Sequence, residues 1–229
     1  MQNYEIFLFD ADGTLYDYDK AEEYALRTMF EKCGFNYSED IRSKYRIINT
    51  EVWVAYEKGE LSIKDFPIIR FERLFSEIGV QHDDVGDFNT QYLAELGKGT
   101  FLIDGAVEIC KEITSKNKLI YIVTNGLLAT QEARIKNSLI KDYITDTFVS
   151  SFVGYRKPDK EYFDYVFSHI PHVSKDKVLI VGDSLTADIT GGNNAGIDTC
   201  WYNGHGFENN TDIKPMYEIK HLNEIQQFI

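Results

Sequence analysis

An apolar run, Ile6-Phe7-Leu8-Phe9, stops abruptly at Asp10-Ala11-Asp12-Gly13-Thr14. No other feature restricts the fold of this chain as much. Consecutive apolar residues suit a strand buried on both faces, and such strands belong to parallel sheets covered by helices. Sheets of that kind gather their chemistry at the carboxyl ends of the strands, which is where Asp10 and Asp12 fall. Two positions apart, the acids would share a face if the strand continued, and Gly13 lets the backbone turn away at once. A carboxylate pair can supply a nucleophile and a general acid/base, and it can hold a hard divalent cation. By itself, Asp-x-Asp equally describes a strand running into an acidic turn, so the rest of the chain has to decide.

Short apolar runs suited to buried strands recur at residues 119–123, 147–149, 178–181 and 199–202. Helical stripes lie between most of them, for example Ala106, Ile109, Cys110 and Ile113, and Tyr162, Phe163, Val166, Phe167 and Ile170. Strand–helix alternation predicts an α/β fold: a Rossmann-like parallel sheet sandwiched by helices. The interval between the first two strands breaks the rhythm, since it is far longer than an ordinary crossover. Its periodicity is helical. Ala21, Tyr24, Ala25, Thr28 and Met29 fit one face; Ile41, Tyr45, Ile48, Val52 and Ala55 a second; Phe71, Leu74, Phe75 and Ile78 a third; a weaker pattern runs over 85–96. Pro67 suits an early helix position, and Asp83-Asp84 a helix start. Residues 17–98 are therefore expected to form an inserted helical cap domain, with residues 1–16 and 99–229 forming the α/β catalytic core. Residues 16–19 and 97–102 would be its hinges.

The formal charge of −13 excludes a nucleic-acid polymer as a general partner, because such binding needs a positive footprint. It leaves room for a small anionic substrate, whose charge one cation and one or two lysines can balance locally. Cys33, Cys110 and Cys200 are scattered and odd in number, which suits buried thiols in a reducing compartment. No basic segment followed by an apolar signal core opens the chain, and no apolar run is long enough to span a membrane. A cytoplasmic protein is expected. The five histidines show no metal-ligand spacing, and Gly204-His205-Gly206 reads as a surface turn.

Four segments look like strand ends bearing reactive groups. Besides Asp10-x-Asp12 there is Ile122-Val123-Thr124-Asn125-Gly126, which can offer a hydroxyl and backbone N–H groups to an anion. Arg156-Lys157-Pro158 precedes a helix and can aim a fixed ammonium. Val181-Gly182-Asp183-Ser184-Leu185-Thr186-Ala187-Asp188 again ends a buried run in an acid, with a second acid five residues on that also suits a helix N-cap. Taken singly, each has an ordinary structural explanation: a turn, a surface lysine, a cap.

Together, and in this order, they resemble the four motifs of the haloacid dehalogenase-like hydrolase superfamily, with a helical (C1-type) cap after the first motif. The resemblance covers essentially the whole chain. Asp12 resembles the phosphatase and phosphotransferase type, since the dehalogenase type typically lacks that second acid. The resemblance implies Asp10 as nucleophile, forming an aspartyl-phosphate, and Asp12 as general acid/base. It implies Mg²⁺ held by the Asp10 carboxylate, the Asp12 carbonyl and Asp183, with Asp188 behind them orienting a ligand or Lys157. Thr124 and the N–H groups of Asn125 and Gly126 would bind the phosphoryl oxygens, and Lys157 would offset charge between Asp10 and the phosphate.

The wording around Asp10–Leu15, Val123–Gly126, Arg156–Asp159 and Gly182–Ile189, continuing through Gly191-Gly192-Asn193 to Ala195-Gly196, is similar to the pyrimidine 5′-nucleotidase branch. That branch implies a small phosphorylated metabolite as partner, a nucleoside monophosphate, for a monomer or homodimer away from membranes. Tyr16, Tyr18, Trp53 and Tyr56 are the candidate base-facing groups, each of which packing inside the fold would equally explain. Other phosphatases of small metabolites, acting on a sugar phosphate or phosphoglycolate, remain alternatives, as do a phosphoglucomutase-type isomerase and a non-catalytic binding homologue.

Overall fold

A computed structural model describes residues 3–62 and 64–229. Its elements, in chain order, are β1 (Ile6–Phe9), α1 (Tyr18–Lys32), α2 (Glu39–Glu57), α3 (Phe66–Ile78), α4 (Val85–Leu96), α5 (Ala106–Ser115), β2 (Leu119–Thr124) and α6 (Leu128–Lys136). There follow β3 (Asp146–Val149), α7 (Ser150–Val153), α8 (Lys160–His169), β4 (Val178–Gly182), α9 (Thr190–Ala195), β5 (Asp198–Tyr202) and β6 (Tyr217–Ile219). A π-helical turn, Leu185–Ile189, precedes α9, and a 3-10 segment, Leu222–Phe228, closes the chain.

The chain divides into two compact units, Met1–Tyr18 with Thr100–Ile229, and Asp19–Gly99. The division falls two residues later at the first connection, and one later at the second, than the apolar pattern places it.

In the first unit the strands form one sheet in the order β3-β2-β1-β4-β5-β6, with parallel neighbours throughout. The order reverses between β1 and β4. Open α/β sheets leave a crevice beyond their carboxyl ends at such a switch point, and Asp10 leaves β1 there, its N–H donating to the Val181 carbonyl at 2.9 Å. The period of two sorts the strands onto two faces. Phe7, Phe9, Ile120, Ile122, Leu179 and Val181 pack with the α5 stripe Ala106, Ile109, Cys110 and Ile113. Ile6, Leu8, Tyr121, Val123, Val178 and Ile180 pack with Tyr162, Phe163 and Val166 of α8. Gly196 closes α9 with a left-handed φ of 71°.

The second unit buries the aromatic stripes of its helices: Phe30, Tyr45, Phe66, Phe71, Phe75, Phe88 and Tyr92. Ser38 caps α2 by accepting the Ile41 N–H, and Asp84 caps α4 by accepting the Asp87 N–H. Pro67 stands in the first turn of α3. On α1 the buried face is turned from the expected one: Tyr24 is exposed, while Glu22, Leu26 and Phe30 are buried. Trp53 and Tyr56 pack on Phe66, with ring centroids 4.6 and 4.7 Å away. Cys33, Cys110 and Cys200 are free thiols. Gly204 and His205 lie in an exposed turn. No helix of the described residues is long and apolar enough to cross a membrane.

Candidate active site

Three neighbouring strand ends and one loop deliver the polar groups. β1 leads into Asp10, β2 ends at Thr124, and β4 ends at Gly182, just before Asp183. Lys157 follows the short helix α7, and its side chain is almost completely buried. Its ammonium donates to Asp10 Oδ1 at 2.6 Å, Asp188 Oδ1 at 2.6 Å and the Val123 carbonyl at 2.7 Å. An ammonium has three N–H groups, so these acceptors satisfy it completely. Asn125 fixes the loop from below: its amide donates to the Lys157 carbonyl at 2.9 Å, and its Oδ1 accepts the Lys157 N–H at 2.8 Å.

Asp188 lies in the π-helical turn with both oxygens engaged, one by Lys157 and one by the Ser184 N–H at 3.0 Å. The helix start is capped by Ser184, whose hydroxyl accepts the Ala187 N–H at 3.1 Å. The cap expected of the acid therefore comes from the serine, and Asp188 is left to hold Lys157. Close approach explains the glycine before Asp183: a Cβ on Gly182 would meet Asp188 at 2.2 Å. Gly13 is required twice over, by its φ of 86° and because a Cβ there would meet Asp183 Oδ2 at 2.4 Å. The Trp201 indole N–H donates to the Asp183 carbonyl at 2.8 Å and steadies that turn.

Asp10, Asp183 and Asp188 each bring a carboxylate oxygen within 4.8 Å of the others. Burial, opposed by Lys157 and reinforced by Asp188 and Asp183, pushes the Asp10 carboxyl well above the usual range. Asp183 is exposed but stands beside Asp188, whose charge raises its carboxyl above the usual range. Burial works against the charge of Lys157, but Asp10 and Asp188 outweigh it and hold the ammonium above the ordinary lysine range. With all three carboxylates ionised, one ammonium leaves two negative charges uncompensated, and that repulsion adds to the raising of Asp10 and Asp183. An all-oxygen donor set with that excess fits a hard divalent cation.

Asp12 stands apart from this cluster. Its carboxylate pairs with Arg134 and accepts from Gln131 Nε2 at 2.6 Å, both on α6. Thr124 is buried, and its hydroxyl accepts the Gly126 N–H at 3.1 Å. Tyr16 is completely buried in the core of the α/β unit, with the Arg134 guanidinium over its ring at 5.4 Å. Its ring packs in the core cluster with Phe9, Leu15 and Ile140, so it is placed as a packing residue and not as a base-facing group.

A model of the haloacid dehalogenase-like hydrolase family matches residues 4–196. The chain belongs to this family. It is an enzyme of the family's phosphatase kind. It is 40% identical over 229 residues to YfnB of Bacillus subtilis (strain 168), covering all of this chain and 97% of that protein. A crystal structure of YfnB, described as bound to magnesium and as revealing interdomain movement, superposes with a TM-score of 0.92 over 99% of this chain and 98% of that one. The pyrimidine 5′-nucleotidase PynA of Streptococcus pneumoniae (strain ATCC BAA-255 / R6) is 37% identical, over 94% of this chain and 91% of that protein. The pyrimidine 5′-nucleotidase YjjG of Escherichia coli (strain K12) is 31% identical, over 96% of each.

Arg134 and Gln131 escaped the sequence reading of this hydrolase. Both are polar residues three apart on a helix, a pattern that ordinarily marks a solvated face, yet both are buried. The one available signal was their shared face, i and i+3, directly after the Thr124 strand end.

Proposed function

We propose that this hydrolase cleaves phosphate monoesters through an aspartyl-phosphate on Asp10, and that its substrates are pyrimidine nucleoside monophosphates. The observation that carries the chemistry is the buried Lys157 ammonium joining Asp10 to Asp188 at the sheet's switch point. It fixes the nucleophile's orientation and supplies a positive charge where a phosphate dianion must approach a carboxylate. The identity with PynA and YjjG supports the substrate class.

In the first step a bond forms between an Asp10 oxygen and phosphorus while the ester P–O bond breaks, and Asp12 gives its proton to the departing oxygen. In the second, water attacks phosphorus and passes a proton to Asp12. The acyl-phosphate P–O bond breaks, which frees phosphate and restores the Asp10 carboxylate. The Thr124 hydroxyl and the N–H groups of Asn125 and Gly126 receive the phosphoryl oxygens. The residues that would hold Mg²⁺ are the carboxylates of Asp10 and Asp183 with the carbonyl of Asp12; when bound, the ion offsets the negative charge of acids and phosphate alike. Asp188, engaged by Lys157 at one oxygen and by the Ser184 N–H at the other, positions Lys157.

Residues 17–98 are assigned as the cap domain that selects the leaving group, with Tyr18, Trp53 and Tyr56 as its candidates for the base. Its compartment is assigned as the cytoplasm, which the free thiols suit, and its state as a monomer or homodimer. The test is phosphate release from uridine, thymidine and purine monophosphates, sugar phosphates and phosphoglycolate, with Mg²⁺ and with chelator. Metal-dependent release favouring pyrimidine nucleotides is expected. Preference for sugar phosphates overturns the substrate class alone. Isomerisation without stoichiometric release, or no turnover of any monoester by folded protein, overturns the reaction.

A further inference from the structure

Arg134 is the largest of the fully buried side chains, and its guanidinium faces Asp12. Its Nε and Nη2 groups have no hydrogen-bond partner among the described residues, so the Asp12 carboxylate is the anion this buried cation answers. An unpaired buried charge is strongly unfavourable, which ties Asp12 to Arg134. Gln131 holds the second oxygen at 2.6 Å, so both ends of the carboxylate are gripped from one helix. Gln131 in turn lies across the turn after β2: a Cβ on Gly126 would meet its Nε2 at 2.4 Å and its Cγ at 3.0 Å. Arg134 has no exposure, whereas the Asp12 side chain keeps 26%. The grip is therefore at the back of Asp12 and leaves its front open. Each carboxylate oxygen has two acceptor directions, and one grip takes only one of them.

We propose that Arg134 and Gln131 are positioning residues for proton transfer, a two-point clamp that fixes the Asp12 carboxylate where the leaving oxygen departs. A freely rotating acid spends most of its time misaimed, and small misplacements of a catalytic group reduce rate steeply. Asp12's role as the acid–base group, on which this rests, makes a specific demand. Loss of the clamp must matter in proportion to how much the leaving group needs a proton. An alkyl phosphate expels a strongly basic alkoxide and needs full protonation. A p-nitrophenyl phosphate expels a weakly basic phenolate and needs almost none.

The experiment compares kcat and KM of Arg134→Met, Arg134→Lys, Gln131→Leu and Asp12→Asn on p-nitrophenyl phosphate and on the alkyl monophosphate turned over best by the unaltered enzyme, in the same Mg²⁺ buffer. General acid–base catalysis contributes about 10²- to 10⁴-fold. Arg134→Met should therefore lower kcat on the alkyl ester by about 10²-fold and on the nitrophenyl ester by less than about 5-fold, with KM little changed. Gln131→Leu should show the same split at about 10-fold, and Arg134→Lys should recover part of it. If Arg134→Met does not fold, Gln131→Leu carries the test. Equal losses on both esters, or no loss on the alkyl ester, overturn the clamp. Asp12→Asn is the control that separates the two levels: if it shows no split itself, the acid–base role of Asp12 fails. A split in Asp12→Asn but not in the clamp variants refutes the clamp alone.

Discussion

Two of the places where the molecule buries charge are built to opposite ends. At the strand ends of the α/β unit, Lys157 has an acceptor for every N–H, and the acids around it outnumber it. In the helical unit, Arg70 is buried, and its charge acts on the buried Glu22. Arg70 donates to the Pro67 carbonyl at 3.0 Å, Asn49 Oδ1 at 3.2 Å and Asn89 Oδ1 at 3.1 Å, and its guanidinium sits over the Phe71 and Tyr92 rings. Glu22, also buried there, has an Oε1 without a hydrogen-bond partner, 4.0 Å from Arg46 Nε. The first cluster carries surplus negative charge on rigid strand ends, a charge state suited to meeting a cation and a phosphate. The second uses polar groups to join α2, α3 and α4 within a packed core, where charge serves registry. Surplus negative charge distinguishes the working site from the structural one, since neither cluster is unusual for its residue types.

The sharpest break of that contrast is Asp10→Asn. It should reduce phosphate release by about 10⁴-fold or more, as loss of a nucleophile does, while the folded state survives because one of the crowded carboxylates becomes neutral. Residual activity near that of the unaltered enzyme, in a correctly folded variant, would remove Asp10 from the reaction. Lys157→Met comes next. It strips two buried acids of their shared ammonium, so a loss of about 3–5 kcal/mol is expected, read as a lowered urea midpoint. A change below about 1 kcal/mol would mean that the acids relax or protonate without strain.

Glu22→Gln probes the other cluster. Burial, opposed by Arg46, raises the Glu22 carboxyl from 4.5 to about 7. Between those values the folded state binds more protons than the unfolded chain. The stability this group contributes is thus complete below pH 4.5 and is lost as pH rises to about 7. The amide is neutral throughout, so the variant should be more stable than the parent at pH 8 by up to about 3 kcal/mol and nearly equal to it at pH 4. Parallel stability–pH curves for the two proteins would show that Glu22 ionises freely. The smallest effect on stability concerns the metal. With chelator, turnover should cease, and Mg²⁺ at 100 times its dissociation constant should restore it and raise unfolding free energy by about 2.7 kcal/mol. Asp183→Asn should lose most of that increment, whereas Glu22→Gln should keep all of it; equal increments in both would separate Asp183 from the cation.

The strands were legible because consecutive apolar residues ending in Asp, Thr-Asn-Gly or Gly-Asp have few other uses, and β1, β2 and β4 lie where those runs lie. The order of the four strand-end segments was enough to indicate the family, and that resemblance implied an Asp188 that orients either a ligand or Lys157; in the structure it accepts from Lys157. The three-residue edge strand β6 carried no signal, since its alternation is too short to separate from a loop. Glu22 misled for a different reason. It is an acid at a core position of α1, and its stripe is displaced by one residue from the one that Tyr24 suggested.

From its sequence alone this chain had determined its layers, its sheet and the residues at the strand ends, because those depend on local periodicity and on turns within a few residues. Tertiary structure decided which of those groups meet. Asp10 and Lys157 are 147 residues apart, Asp12 and Gln131 119, and Asp12 and Arg134 122. Whether a polar side chain is solvated or buried as a clamp depends on what the sheet brings against its helix. At such separations, pairing is set by packing, which acts through space and leaves no period along the chain.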